Sequence, residues 1–128
     1  MTSEDPISVV ESYLAAIAAR DFPTACRFLA EAGFHYRSPI GHFEDRGPFA
    51  DNMEAVGAIL HNIRTVHRFR EGNTISHVLD VTVNMTGHSS QRVVQIADVV
   101  DGRITRLEVI FDASALRRMI IENEDEGA

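Results

Sequence analysis

Apolar and polar positions recur along this chain with two different periods, and the change falls near residue 62. Before it the period is helical. Val9, Val10, Tyr13, Leu14 and Ile17 have the spacing of one buried helical stripe. Asp5-Pro6 supplies the start, an Asx cap followed by Pro at the first helical position, and the stripe predicts an end near Arg20. Asp21-Phe22-Pro23 opens a second helix with Phe22, Cys26 and Leu29 on its buried face and Phe28 beside them. Gly33 suits the left-handed position that would stop it. Residues 34–37 read as a short strand before a break at Pro39 and Gly41. Gly47-Pro48 then starts a third helix with Phe49, Met53, Val56 and Leu60 as its apolar stripe.

Beyond residue 62 the period is two. Residues 65–70 and 74–85 predict strands joined through Glu71-Gly72-Asn73, and residues 92–100 and 104–111 predict two more. These last are joined by Asp101-Gly102, the strongest hairpin signal in the chain. A final helix over 113–121, capped by Asp112 or Ser114, precedes an acidic tail expected to fray from about 122. This order predicts a single α+β domain over 1–128. Its sheet would be curved, antiparallel and cone-shaped, with N-terminal helices on one side enclosing a pocket.

Composition narrows the partners. A chain of 128 residues that is 45% apolar and 24% charged is an ordinary globular domain, so extended disorder is not expected. A formal net charge of −7 argues against nucleic acid or an anionic membrane as partner. The single Cys26 forms no internal disulfide and reads as a buried thiol in a reducing compartment, which gives a cytoplasmic expectation. The longest apolar run, 14–19, is far shorter than the roughly 18 residues a membrane span needs. Six histidines show no helical or hairpin ligand spacing with a supporting acid, so no metal is expected. No Gly-rich phosphate loop implies a cofactor.

Asp80 and Asp98 carry most of the candidate chemistry, because each interrupts an apolar strand. A buried carboxylate must be protonated, hydrogen-bonded or paired. Either acid therefore lines a pocket as a general acid/base, or lies on the open or dimer face paired with Arg92, Arg103 or Arg106. Alternation groups Asp98 with Val94, Ile96 and Val100, and it groups Phe34, Tyr36 and Ser38 against His35 and Arg37. His35 or His42 could supply a base beside Ser38. Leu79, Val81 and Val83, or their neighbours by register, would leave an apolar outer face that a homodimer through the sheet covers.

Three stretches carry a family resemblance. YLAAIAARD (13–21) with the following FLAEAG resembles the first two helices of ketosteroid isomerases. HYRSPIG (35–41) resembles their strand ending in an acid, Pro, an aliphatic residue and Gly, and DGRITRLEVIFD (101–112) resembles the last hairpin of the nuclear transport factor 2-like superfamily. That superfamily includes ketosteroid isomerases, limonene-epoxide hydrolases and SnoaL-like polyketide cyclases, and the resemblance spans roughly 7–120. It implies a small apolar substrate, a cone-shaped roll, and a pocket lined by Tyr36, Ser38, Ile96 and Phe111. Tyr13 matches the isomerase tyrosine that donates to the substrate oxyanion. Ser38 stands where that family carries its aspartate base, and Ile96, or Asp98 after a slip, falls near the second oxyanion acid. In epoxide hydrolases Tyr36 and Ser38 fall near the water-positioning pair and Asp80 near one acid, while Val78 and Val109 replace its arginine and second acid. The resemblance thus implies either an isomerase-, cyclase- or lyase-type enzyme for a carbonyl-bearing ring compound, using Tyr13, Asp98 and Asp80, or a noncatalytic binding or dimerisation module.

Overall fold

The structure is a computed structural model that describes residues 5–84 and 87–114. Two helices open it, α1 (Pro6–Ala18) and α2 (Phe22–Arg27), followed by the hairpin β1 (His35–Ser38) and β2 (Gly41–Phe43). Helix α3 (Arg46–Gly57) leads into four long strands, β3 (Leu60–Glu71), β4 (Thr74–Asn84), β5 (His88–Val100) and β6 (Arg103–Ile110). All six strands form one curved, unclosed sheet in the order β2-β1-β6-β5-β4-β3. The final helix and tail expected over 113–128 lie, beyond Ser114, outside the described residues.

Local chemistry explains most of these boundaries. The Asp21 carboxylate accepts the Thr24 N–H at 3.3 Å and caps α2, whose second residue is Pro23. The 101–102 turn has both φ angles positive, 51° and 76°, the type I′ geometry that matches strand twist. Helix α2 ends several residues earlier than Gly33 suggests. The chain after it joins the sheet, with Ile104 N donating to Phe28 O at 2.7 Å and Ala30 N to Ile104 O at 2.8 Å. Backbone groups that a longer helix would use are already paired there, so the helix cannot extend. Two elements exceed the sequence reading. β1 runs parallel to β6, with Tyr36 opposite Leu107, and β2 occupies a stretch expected to be loop.

The core lies between the helices and one face of the sheet. Val9, Val10, Tyr13 and Leu14 of α1 pack there with Phe34, Phe49, Met53, Ile75, Leu79, Val93, Ala97 and Leu107. On β4 the inward set is Ile75, His77 and Leu79, so Val78 and its even-numbered neighbours face outward. The outer face therefore carries the neighbours of Leu79 and Val81 rather than those residues themselves. Irregular register at Leu60/Asn62, Thr65/His67 and Asp98/Val99 bends the long strands, which gives the sheet its curvature. Gly57, at the end of α3, is buried against Phe22, where a Cβ would overlap the aromatic ring.

Candidate functional site

A polar row crosses the otherwise apolar inner face of the sheet. Strand register places Arg68, His77, Gln95 and Val109 side by side, and Ser38, one residue beyond the Arg37–Glu108 pair, stands level with Val109. Apart from Arg70 and Thr65 on β3, the rows on either side are apolar, with Ile75, Ala97, Leu107 and Tyr36 on one and Leu79 and Val93 on the other. Neighbouring strands lie about 4.8 Å apart, so His77 and Ser38 are separated by roughly 14 Å across the cone.

His77 is fully buried, and Gln95 is 5% exposed. His77 Nε2 lies 3.3 Å from Glu11 Oε2 on α1, while His77 Nδ1 and Gln95 Nε2 have no hydrogen-bond partner among the described residues. Buried polar atoms are nearly always paired, so two orphans opposite each other on adjacent strands are unusual in a finished core. Glu11 also accepts from Arg68 Nη1 at 2.7 Å. That hydrogen bond lowers the Glu11 pKa; burial acts against it, and the His77 contact adds to the lowering. The lowered pKa favours an ionised Glu11 carboxylate, and in the tautomer that carries the proton on Nε2, His77 donates to it and leaves a lone pair on Nδ1. Beside the pair, Glu11, Leu14, Ala15, Ala18, Ile63 and Thr65 line a cleft of about 320 Å³ between α1 and β3.

Tyr13 is buried on another side of α1, near Tyr36 and Cys26. Burial drives its pKa up, with smaller contributions from Tyr36 and Cys26, so the phenol keeps its proton. Burial raises Tyr36 as well, and a hydrogen bond with Ser38 acts in the opposite sense. The Tyr36 ring packs 4.4 Å from Phe49 and 6.0 Å from Phe43, centroid to centroid. Ser38 Oγ accepts the Ile40 N–H at 3.2 Å in the Pro39 turn. Phe111 is half-buried against the core. Tyr13, Tyr36, Ser38 and Phe111 thus belong to the helix side of the sheet.

Asp80, Asp98 and Ile96 do not. Alternation along β4 and β5 turns them to the outer face, opposite the inward His77, Gln95 and Ala97. Asp80 lies between Arg64 and Arg92 in register, pairs with Arg64, and accepts from Arg92 Nε at 2.7 Å. Asp98 accepts from Arg106 Nε and Thr74 Oγ1, each at 2.7 Å. For Asp80 the Arg92 hydrogen bond is the main cause of a lowered pKa. For Asp98 burial raises the value, but the Arg106 and Thr74 hydrogen bonds outweigh it. Each acid has the cross-strand arginine pairing expected on an open face, and the pocket assignment of Ile96 fails for the same reason of alternation.

These shifts give the fold a defined acid response. Glu11, Asp80 and Asp98 are depressed in the folded state, so their stabilisation is fully present above the ordinary carboxylate range. It is lost as pH falls from about 4 through the depressed values. Urea midpoints measured against pH should fall in that window, and Arg106→Ala should make the fall shallower. A midpoint that rises on acidification would contradict the pairing.

The sequence does carry a signal for His77, which the interruptions at Asp80 and Asp98 overshadow. It alternates with Ile75 and Leu79, which places an imidazole on the apolar face. The expectation that the histidines lack hairpin ligand spacing with a supporting acid also needs correcting. His35, His42 and Glu44 bring one ligand atom each within 4.8 Å of one another on the β1–β2 hairpin.

Comparison with known proteins fits this architecture. Residues 10–107 match the SnoaL-like domain model, and the chain belongs to that family, within the nuclear transport factor 2-like superfamily. A nuclear transport factor 2-like protein of unknown function from Cytophaga hutchinsonii is 27% identical with a TM-score of 0.76, over 88% of this chain and 94% of that one. A protein from Kribbella flavida is 26% identical with a TM-score of 0.79, over 91% and 94%. An LEH-like epoxide hydrolase from M. tuberculosis shares the fold at 19% identity and TM-score 0.75, over 84% and 83%. None of the curated proteins compared with the chain matches it by sequence. Among the described residues, no helix is long and apolar enough to cross a membrane.

Proposed function

We propose that the cone is the active site of an acid/base enzyme acting on an apolar, carbonyl-bearing ring compound. One observation carries this reading: a fully buried imidazole, held by a carboxylate at one nitrogen, has no partner for its other nitrogen among the described residues. In this scheme His77 Nδ1 takes a proton from the carbon next to the carbonyl. The C–H electron pair moves into the enolate, whose oxygen accepts hydrogen bonds from Gln95 Nε2 or Tyr13 Oη. Glu11 orients the ring and stabilises the imidazolium, and Arg68 keeps Glu11 ionised. His77 then returns the proton at a second position. Asp80 and Asp98 take no part, and Ser38 needs no proton-shuttling role.

A ligand at 100 times its dissociation constant adds about 2.7 kcal/mol, several degrees of melting temperature for a domain of this size. A thermal-shift screen of cyclic ketones and phenols should find such compounds, and Gln95→Leu with Tyr13→Phe should lose the shift. No stabilisation by any compound would contradict the site. It would favour the second reading, a noncatalytic binding or dimerisation module. Ser38 at the usual base position favours that module, as do the exposed outer-face residues Phe69 and Ile110. A homodimer through the outer face is compatible with both readings, and a monomer by light scattering at micromolar concentration would rule it out.

A further inference from the structure

A second constellation lies away from the cone, on the β1–β2 hairpin. Alternation turns Tyr36 and Phe43 inward, where they pack on Phe49, and turns His35, His42 and Glu44 outward. His42 and Glu44 stand at positions i and i+2 along one edge of the hairpin. The pairing of Tyr36 with Phe43 brings His35 opposite Glu44. One nitrogen from each imidazole and one Glu44 oxygen lie within 4.8 Å of each other. We propose that these three side chains form a binding site for a divalent transition-metal ion of the zinc type.

The donor set fits that class of ion. Two neutral imidazoles and one carboxylate are borderline ligands suited to Zn²⁺ and its neighbours, and they leave a fourth position open. Metal–ligand bonds of about 2.0–2.2 Å in a tetrahedron place ligand atoms roughly 3.3 Å apart. The required contraction from 4.8 Å is therefore at most about 1.5 Å, within reach of side-chain rotation on exposed residues. The scaffold beneath is firm. Pro39 fixes one turn residue, Ser38 Oγ accepts the Ile40 N–H, and the aromatic cluster anchors the opposite face of the hairpin.

The site borders a second cleft, of about 250 Å³, lined by His35, Tyr36, Arg37, His42, Arg106, Leu107 and Glu108. Arg106 is already engaged by Asp98 and Glu108, and Arg37 sits opposite His42. A doubly charged ion with one carboxylate ligand keeps a net positive charge, to which Arg37 adds, while Arg106 is offset by Asp98 and Glu108. The open position therefore favours an anion, such as hydroxide or a carboxylate, over neutral water.

The test is a titration of the full chain with Zn²⁺ by calorimetry, repeated with Co²⁺ for its visible absorption. The expected result is one saturable equivalent and the absorption of a four-coordinate Co²⁺ centre. His42→Ala and His35→Ala should each weaken binding at least tenfold. The variant His61→Ala with His88→Ala, a stacked pair 4.0 Å apart elsewhere on the sheet, should bind like the wild type. Absence of saturable binding, equal affinity in His42→Ala, or loss only in the His61/His88 variant would each overturn the assignment. None of these readouts depends on the cone, so failure here and failure of the proposed enzyme are distinguishable.

Discussion

His77→Leu is expected to yield a protein that melts several degrees higher than the wild type and has lost the proposed base. Leucine is close to histidine in size, so the buried site stays filled. What disappears is a polar atom with no partner among the described residues, an arrangement that costs about 1–3 kcal/mol in a folded interior. The hydrogen bond to Glu11 that the variant gives up is a marginal one at 3.3 Å, and Glu11 keeps its Arg68 hydrogen bond. The net gain should be about 1 kcal/mol, or about 4 °C for a domain of this length. Removing a general base should meanwhile lower the rate by about 10²- to 10⁴-fold. A variant that gains stability and loses activity is the signature of a residue kept for function rather than for packing. A fall of about 2 kcal/mol or more in the variant's stability, by contrast, would mark His77 as a structural histidine.

The second large effect concerns the fold. Phe49 of α3 is 4% exposed and meets three aromatic rings: Tyr36 at 4.4 Å, Phe34 at 5.4 Å and Phe43 at 6.0 Å. It ties α3 to the β1–β2 hairpin. Phe49→Ala should cost about 3–5 kcal/mol, a large part of the total stability of a domain this size. Denaturant midpoints would show it. Hydrogen exchange should show the amides of 35–43 losing protection first, because that short edge hairpin depends on this cluster. A loss under about 1 kcal/mol would mean that the cluster is not what holds the hairpin.

How far the sequence can be read follows from what each pattern encodes. The change of period at residue 62 separates helices from strands because side-chain direction repeats every 3.6 or every 2 residues. Asp101-Gly102 announces its own turn, since few other pairs accept two positive φ angles in succession. Parallel pairing of β1 with β6 leaves no local trace. It joins residues about 70 positions apart, and nothing in either segment encodes its neighbour. Face assignment is only partly legible. Along β5, Val94 and Ile96 alternate with Val93 and Ala97, so both faces look apolar and the strand alone does not say which is inside. The register resolves it, by setting Arg64 and Arg92 beside Asp80 and Arg106 beside Asp98. Ile75, His77 and Leu79 carry a clearer signal, one polar residue on an apolar face, which marks the site better than either aspartate. The hairpin ligands are hidden because the stretch that forms β2 reads as loop, and without a strand there is no register to bring His35 beside Glu44.

In the proposed enzyme His77 is the base that faces the substrate inside the cone. This role is tested most directly by following deuterium exchange next to the carbonyl of ring ketones in D₂O, by NMR, with wild type and His77→Leu. Exchange catalysed by the wild type and reduced about 10²- to 10⁴-fold in the folded variant is the predicted result. Equal exchange by both proteins, or none by the wild type with any ketone that binds, would contradict it.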